Sequence, residues 1–465
     1  MNADDIIFAP ATGSGGAISV VRLSGKGCLE LLDGMVKLRR GTAASAPGYS
    51  IRYGEIEGLD QVLVSIFHAP SSYTGEDMAE VSCHASSFVV SEFMERLSTA
   101  GARLAEPGEF TLRAYVNGKM DLVQAEAVAD IISSSSAAQH RVALNQLRGG
   151  YSAELSDIRA QLLELASLLE LELDFSEEEV EFADRSRLEE LLDSAIGHCR
   201  RLAESFKLGN AVRNGVPVAI AGAPNSGKST LLNALLSDDR AIVSDIPGTT
   251  RDTVEDTCVL DGILFRFIDT AGIRSSEDTV ERLGIERTFR KIAEAQIVLA
   301  LVDGSEIGSE EDFRQAVDPV FKHLDLNSQK LLILVNKVDK TGVNKNVINI
   351  NNFVLSSNIE SDSIRILEIS AKTGQGLDLL RKTLVQSTGL ASHTGTLVTN
   401  ARHAHALQAT ADSLSVVRTG LASSLPTDLL AEDLRSATST LGSITGAITS
   451  NEVLGEIFGK FCIGK

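Results

Sequence analysis

The stretch Val216-Pro217-Val218-Ala219-Ile220-Ala221-Gly222-Ala223-Pro224-Asn225-Ser226-Gly227-Lys228-Ser229 decides the fold of the central part of this chain. Its first six residues are an apolar run of strand length. The next eight follow the pattern G-x-x-x-x-G-K-S, and Thr230 to Leu236 predicts a helix. A glycine-rich turn between a strand and a helix lets backbone N–H groups converge on phosphate oxygens at the helix N-terminus. Gly222 and Gly227 permit that close approach, Lys228 supplies a positive charge to the terminal phosphates, and the Ser229 hydroxyl is suited to Mg²⁺.

Four further segments follow in the order a guanine-nucleotide site needs. Pro247-Gly248-Thr249-Thr250-Arg251-Asp252 is a polar loop whose threonines can reach Mg²⁺ and the terminal phosphate. Asp269-Thr270-Ala271-Gly272 ends the near-continuous apolar run Leu264 to Ile268, placing a carboxylate near the metal and a glycine at the γ-phosphate. Asn336-Lys337-Val338-Asp339 ends the run Leu331 to Val335. The Asp339 carboxylate can accept from both N1–H and the 2-amino group of guanine, donors that adenine lacks there. Ser370-Ala371-Lys372, after a strand predicted at Ile366 to Ile369, would close the pocket around the base. Hydrolysis of GTP is the reaction implied.

The runs Leu264 to Ile268, Ile297 to Val302 and Leu331 to Val335 predict strands covered on both faces, as in a doubly wound α/β domain. Before it, Ala125, Val128, Ala129, Ile132 and then Leu155, Ile158, Leu162, Leu165, Leu169, Leu173 recur at helical spacing. After it, Leu407, Ala411, Leu414, Leu429, Leu430, Leu434, Leu441 and Ile444 do the same, and the economical arrangement packs these two helical segments together. Residues 1 to 118 alternate short strands, Ala17 to Val21 and Gln61 to Phe67, with a helix at Phe88 to Leu97. The expected architecture is multidomain. It comprises an α+β domain at 1–118, an all-α domain at 119–210 and 387–465, and between its parts a Ras-like P-loop α/β GTPase domain at 211–386.

The 465 residues carry a net charge of -20, which repels polyanions at long range and excludes bulk electrostatic binding of nucleic acid. An RNA partner would need a local basic patch or a second protein. No run approaches the ~20 apolar residues of a membrane span, and the N-terminus lacks a secretory signal, so a cytoplasmic location and no membrane partner are expected. Five scattered cysteines suggest neither a disulfide framework nor a zinc site. The acidic run Glu177 to Glu181 reads as a solvated surface.

Ile273 follows the third motif where Ras-like proteins place a water-orienting glutamine, so help with hydrolysis must come from elsewhere. Glu281 lies where a loop could swing it toward the water, and is otherwise a surface acid. Asn225 could ligate a monovalent cation beside the β- and γ-phosphates, where an arginine finger would act.

With these segments placed, the whole chain resembles the bacterial and organellar MnmE (TrmE) family of tRNA-modification GTPases. The likeness rests on Pro224 to Ser229, Gly248 to Asp252, Val280-Glu281-Arg282-x-Gly284-Ile285-Glu286-Arg287 and segments outside the GTPase motifs. Those segments are Ser72-Tyr73-Thr74-Gly75-Glu76-Asp77, Pro107-Gly108-Glu109-Phe110, Lys119-Met120-Asp121-Leu122-x-Gln124-Ala125-Glu126-Ala127 and Phe461-Cys462-Ile463-Gly464-Lys465. The loop Ala11 to Gly16 and the segment His84-Ala85-Ser86 depart from the usual pattern.

The resemblance implies an N-terminal domain that dimerises and binds a folate such as 5-formyltetrahydrofolate, and K⁺-stimulated GTP hydrolysis. It implies a flavin-dependent partner of the MnmG (GidA) type, with tRNA modified at carbon 5 of its wobble uridine. Asn225, Ser244, Ile246 and Thr249 would hold K⁺, and Ser229 and Thr250 Mg²⁺. Ser226, Thr230, Asp245, Pro247 and Gly248 join the GTP contacts, and Glu281 would orient the water. Arg22, Glu80, Lys119 and Lys465 match the folate contacts, and Cys462 matches a cysteine suspected of taking part in the modification chemistry. Two readings compete: a ribosome-assembly GTPase of the Era or Der type, and a folate-dependent one-carbon transferase regulated by a GTPase. Residues 400 to 465 show no G-x-x-G loop of the KH kind, which speaks against the first.

Overall fold

The computed structural model describes residues 5–13, 15–174, 185–236, 256–268, 292–326, 328–340, 363–390, 393, 395–423, 425–447, 450–459, 461, 462 and 464. The acidic run Glu177 to Glu181 lies outside them. The chain divides into two compact units. One comprises Met1–Ala129, Asn145–Ala195 and Asp412–Lys465; the other comprises Asp130–Leu144 and Ile196–Ala411.

The first unit holds a seven-stranded sheet. Its strands are β1 (Ile7–Pro10), β2 (Ile18–Ser24), β3 (Val36–Leu38), β4 (Ser50–Ile56), β5 (Asp60–Phe67), β6 (Met78–His84) and β7 (Arg103–Leu104), in the order β3-β4-β5-β6-β2-β1-β7. Alternation along the strands sends Val62, Val64, Ile66, Val81, Val21 and Leu23 to one face. There they pack with Phe93 and Leu97 of α2 (Ser87–Thr99), which follows α1 (Cys28–Asp33). The expected strands and helix stand within a few residues of their predicted ends. Residue Arg22 of β2 lies directly opposite Glu80 of β6.

The helices that follow are α3 (Glu109–Val116), α4 (Leu122–Ser133), α5 (Ala137–Leu147), α6 (Gly150–Asp174), α7 (Arg185–Glu204) and α8 (Phe206–Asn214). Further along come α9 (Lys228–Leu236), α10 (Glu310–Phe321), α11 (Leu377–Ser387), α12 (Ala401–Ala422), α13 (Thr427–Thr445) and α14 (Asn451–Phe458). In the first unit, α6 buries Leu155, Ile158, Leu162, Leu165 and Leu169 and packs against α13, which buries Leu430, Leu434, Leu441 and Ile444. Each such side chain removed from water contributes about 1.5–3 kcal/mol. Two residues assigned to the apolar stripes face solvent instead, Ile132 and Leu429. Each sits at the margin of its stripe, where one step of 100° turns a side chain outward. Beyond α13, Phe458 and Phe461 join Leu122 and Ala125 in a separate cluster.

The second unit holds a six-stranded sheet of β8 (Val216–Gly222), β9 (Asp256–Leu260), β10 (Ile263–Phe267), β11 (Ile297–Asp303), β12 (Lys330–Asn336) and β13 (Ile364–Glu368), in the order β13-β12-β11-β8-β10-β9. Five strands run parallel; β9 is an antiparallel edge strand on β10. Every residue of β11 is buried, as its unbroken apolar run requires. The β10 run alternates instead, with Leu264 and Arg266 half-buried, which corrects the expectation of two covered faces there. The strand expected at Ile366 to Ile369 lies earlier, at Ile364–Glu368. Among the described residues no helix is long and apolar enough to cross a membrane.

Candidate functional site

At the end of β8 the chain turns through the glycine-rich loop into α9, which begins at Lys228 and not at Thr230 as predicted. The last motif residues therefore form the first helical turn, at the end of the helix that favours negative charge. Gly222 has φ +154°, and a Cβ there would stand 2.3 Å from the Leu301 carbonyl oxygen. Gly227 has φ +104°, and its Cβ would stand 2.3 Å from Nδ2 of Asn336. Both positions admit only glycine. Asn225 is exposed and takes a left-handed φ of 61°, a conformation asparagine tolerates better than most residues. The Lys228 ammonium donates to the carbonyls of Gly222 at 2.9 Å and Ala223 at 2.8 Å, and burial pushes its pKa down. Ser226 is buried, whereas Ser229 and Thr230 are exposed.

Asn336 ties this loop to the segment Ser370 to Lys372, expected to close around the base. Its Nδ2 donates to the Ser226 carbonyl at 2.8 Å, and its Oδ1 accepts from the Ala371 N–H at 2.9 Å. With Asn336 only 2% exposed, each bond is shielded from water. The buried Ser370 hydroxyl donates to Oδ1 of Asp339 at 2.6 Å, the main cause holding that exposed carboxyl below its usual range. Lys337 has φ 67° and forms an ion pair with Asp303 at the end of β11. Lys372 is exposed. The structure thus brings together Asn225 to Thr230, Asn336, Lys337, Asp339 and Ser370 to Lys372. Ser244 to Thr250, Asp269 to Gly272 and Glu281 lie outside the described residues, so only Asn225 of the expected K⁺ set and Ser229 of the Mg²⁺ set can be placed.

A second cluster forms in the unit that holds the seven-stranded sheet. The Arg22 guanidinium bonds Oε1 of Glu80 at 2.9 and 2.8 Å and donates to the Gly464 carbonyl at 3.2 Å. The rings of Tyr73 and Phe110 lie 5.5 Å from it, within cation–π range. Glu76 is engaged elsewhere, with Ser24 at 2.8 Å and Arg113 at 3.1 Å, so Glu80 is the acid that faces Arg22. Lys119 donates to the Pro70 carbonyl at 2.9 Å and packs beside Gly75, two residues from Tyr73. Cys462 is exposed, and its carbonyl accepts from the Gly108 N–H at 3.4 Å. Lys465 lies outside the described residues, next to Gly464.

A family model described as the MnmE helical domain matches residues 122–462, and one described as the GTP-binding protein TrmE N-terminus matches residues 6–119. The tRNA modification GTPase MnmE of Flavobacterium johnsoniae is 45% identical over 473 residues, covering 100% of both chains. Those of Christiangramia forsetii and Bacteroides fragilis are 46% and 47% identical, covering 100% and 99% of each chain. The chain belongs to the MnmE family of tRNA modification GTPases. It is, with that family, a GTP hydrolase.

Several charged groups of this MnmE-family chain lie outside its recognisable motifs. Asp303 stands at a strand end, as do Gly222 and Asn336, and Gly304 follows it; that placement was an available signal. Arg113, 3% exposed, gathers Asp5, Glu76 and Glu109, and Arg103 joins Asp5 and Glu109. Nothing in the spacing of those five residues announces their meeting.

Proposed function

We propose that this chain is a K⁺-activated GTPase that acts as a cytoplasmic homodimer. With a flavin-dependent partner of the MnmG (GidA) type, it would install a carboxymethylaminomethyl or aminomethyl group on carbon 5 of the wobble uridine, position 34, of certain tRNAs. The observation that carries this reading is the meeting of the two ends of the chain, where the Gly464 carbonyl accepts from Arg22 beside Glu80. That contact sets Gly464, two residues after Cys462, next to a guanidinium flanked by two aromatic rings. A folate offers a flat ring and carboxylates, which suit that surrounding.

In this reading the domains are a folate-binding and dimerisation domain at 1–118, a helical domain at 119–210 and 387–465, and an inserted GTPase domain at 211–386. Arg22, Glu80, Lys119 and Lys465 would hold a 5-formyltetrahydrofolate or related folate, which would supply one-carbon chemistry, and Cys462 would take part in the modification. The glycine cradle and Lys228 hold the β- and γ-phosphates of GTP. Ser229 and Thr250 ligate Mg²⁺, and Asn225, Ser244, Ile246 and Thr249 ligate K⁺. Asp339 selects guanine and Glu281 orients the attacking water. The exposed, left-handed Asn225 at the loop's crest suits a cation ligand.

GTP turnover in K⁺ against Na⁺ tests the cation role. Fast hydrolysis in K⁺ alone is expected, with Asn225→Ala removing the difference; equal rates in both salts refute it. Mass spectrometry of wobble nucleosides from cells lacking the protein tests the modification, and an unchanged uridine profile refutes it.

A further inference from the structure

Lys337 and Asp339 lie two residues apart in the segment that recognises the base, and their opposite charges would attract. The structure keeps them apart by giving each its own partner. Asp339 is bonded by Ser370, whereas the Lys337 ammonium is paired with Asp303. Asp303 is 8% exposed and is itself braced, its Oδ1 accepting from the Ser305 N–H at 3.0 Å and the Ser305 hydroxyl at 2.6 Å. Asp303 faces Asn336 across β11 and β12, and the Gly304 N–H donates to the Asn336 carbonyl at 2.8 Å. The turn after β11 is therefore bound to the turn after β12 through both backbone and side chain. That double attachment holds Lys337 in a left-handed conformation that a lysine rarely adopts.

We infer that Asp303 is a positioning residue of the guanine pocket: it occupies the Lys337 cation, leaving the Asp339 carboxylate free to accept both donors of the base. Burial works to raise the Asp303 pKa, but the bonds from Lys337 and Ser305 outweigh it and keep the group ionised. Without that anion, the Lys337 ammonium would turn to Asp339 and compete with guanine for it. The inference rests on the guanine-binding role given to Asp339. That role is tested separately by whether the unaltered chain prefers guanosine diphosphate to inosine diphosphate, which lacks the 2-amino group.

The experiment is a double-mutant cycle on the full chain, read by calorimetric titration with guanosine and inosine diphosphates. Asp303→Asn should weaken guanosine diphosphate binding roughly ten-fold and shrink the preference over inosine diphosphate. In a Lys337→Met background the same change should have no further effect on either, because the competing cation is gone. A general loss of packing would weaken both nucleotides alike and would add in both backgrounds. An unchanged affinity in Asp303→Asn, or additive losses across the cycle, overturns the inference. If Asp303→Asn does not fold, Asp303→Glu decides. It keeps the charge on a longer arm that no longer meets the ammonium squarely. It should weaken binding in the unaltered background and have no effect in the Lys337→Met background; additivity again overturns the inference.

Discussion

Alanine at position 227 would place a methyl carbon 2.3 Å from Nδ2 of Asn336, and on a backbone with φ +104°. The conformation alone costs about 1–3 kcal/mol for a residue with a Cβ. Asn336 cannot swing aside freely, because Nδ2 is bonded to the Ser226 carbonyl and Oδ1 to the Ala371 N–H. Breaking those bonds leaves buried groups unpaired at about 1–3 kcal/mol each. The lower ends of these terms sum to about 3 kcal/mol, and at about 1.4 kcal/mol per ten-fold that is roughly 100-fold if all of it falls on binding. Some falls on stability instead, so a loss of GDP affinity of at least about 10-fold is expected. The chain contains no tryptophan, so a fluorescent GDP analogue must be excited directly and its anisotropy followed. Gly374 provides the control, with φ +85° but nothing within 4 Å of an added Cβ. Gly374→Ala should therefore show the conformational cost alone. The reasoning fails if folded Gly227→Ala binds GDP within about three-fold of the unaltered chain, or if Gly374→Ala loses as much.

Arg113→Met should lower unfolding stability by about 1–3 kcal/mol in urea titrations, because it removes a buried cation bonded to Asp5 and Glu76, while Glu109 keeps Arg103. Burial tends to raise the pKa of Asp5 and Glu109, but bonds from Arg103 and the charge of Arg113 prevail and hold both below their ordinary values. Groups with depressed folded-state pKa values stabilise the fold above their ordinary values and lose that contribution as pH falls. Stability should therefore begin to decline below the ordinary glutamate value of 4.5, and less steeply in Arg113→Met. Gly464→Ala should weaken folate binding by about ten-fold in calorimetric titrations, through loss of a hydrogen bond from a charged donor. Gly464 has φ +95°, and a Cβ there would stand 2.2 Å from the Pro10 carbonyl oxygen, lifting the tail from Arg22. Unchanged affinity would refute the role given to the tail.

The phosphate-binding loop was legible because it is local: strand, glycine turn and helix start are contiguous, and their residue types answer to backbone geometry and phosphate charge alone. Burial of β11 and of the α6 stripe was legible for the same reason, since periodicity reports which face of an element avoids water. Periodicity does not report which element covers that face. Hence the antiparallel edge strand β9 and the outward turn of Ile132 and Leu429 were decided only by tertiary packing, whereas Arg266 within its run already marks one face of β10 as less covered. The same holds for the charges. Asp339 could be assigned to guanine from its motif, but Asp303, more than thirty residues earlier, meets Lys337 only because β11 and β12 pair in register. Arg22 and Gly464 stand at opposite ends of the chain, and their contact depends on the path the folded backbone takes between them. Sequence by itself determined the chemistry of each local motif, because short-range sterics and hydrogen bonding suffice for that. The partners of each charge were decided by the tertiary structure, because electrostatic pairing depends on distance in space and not along the chain.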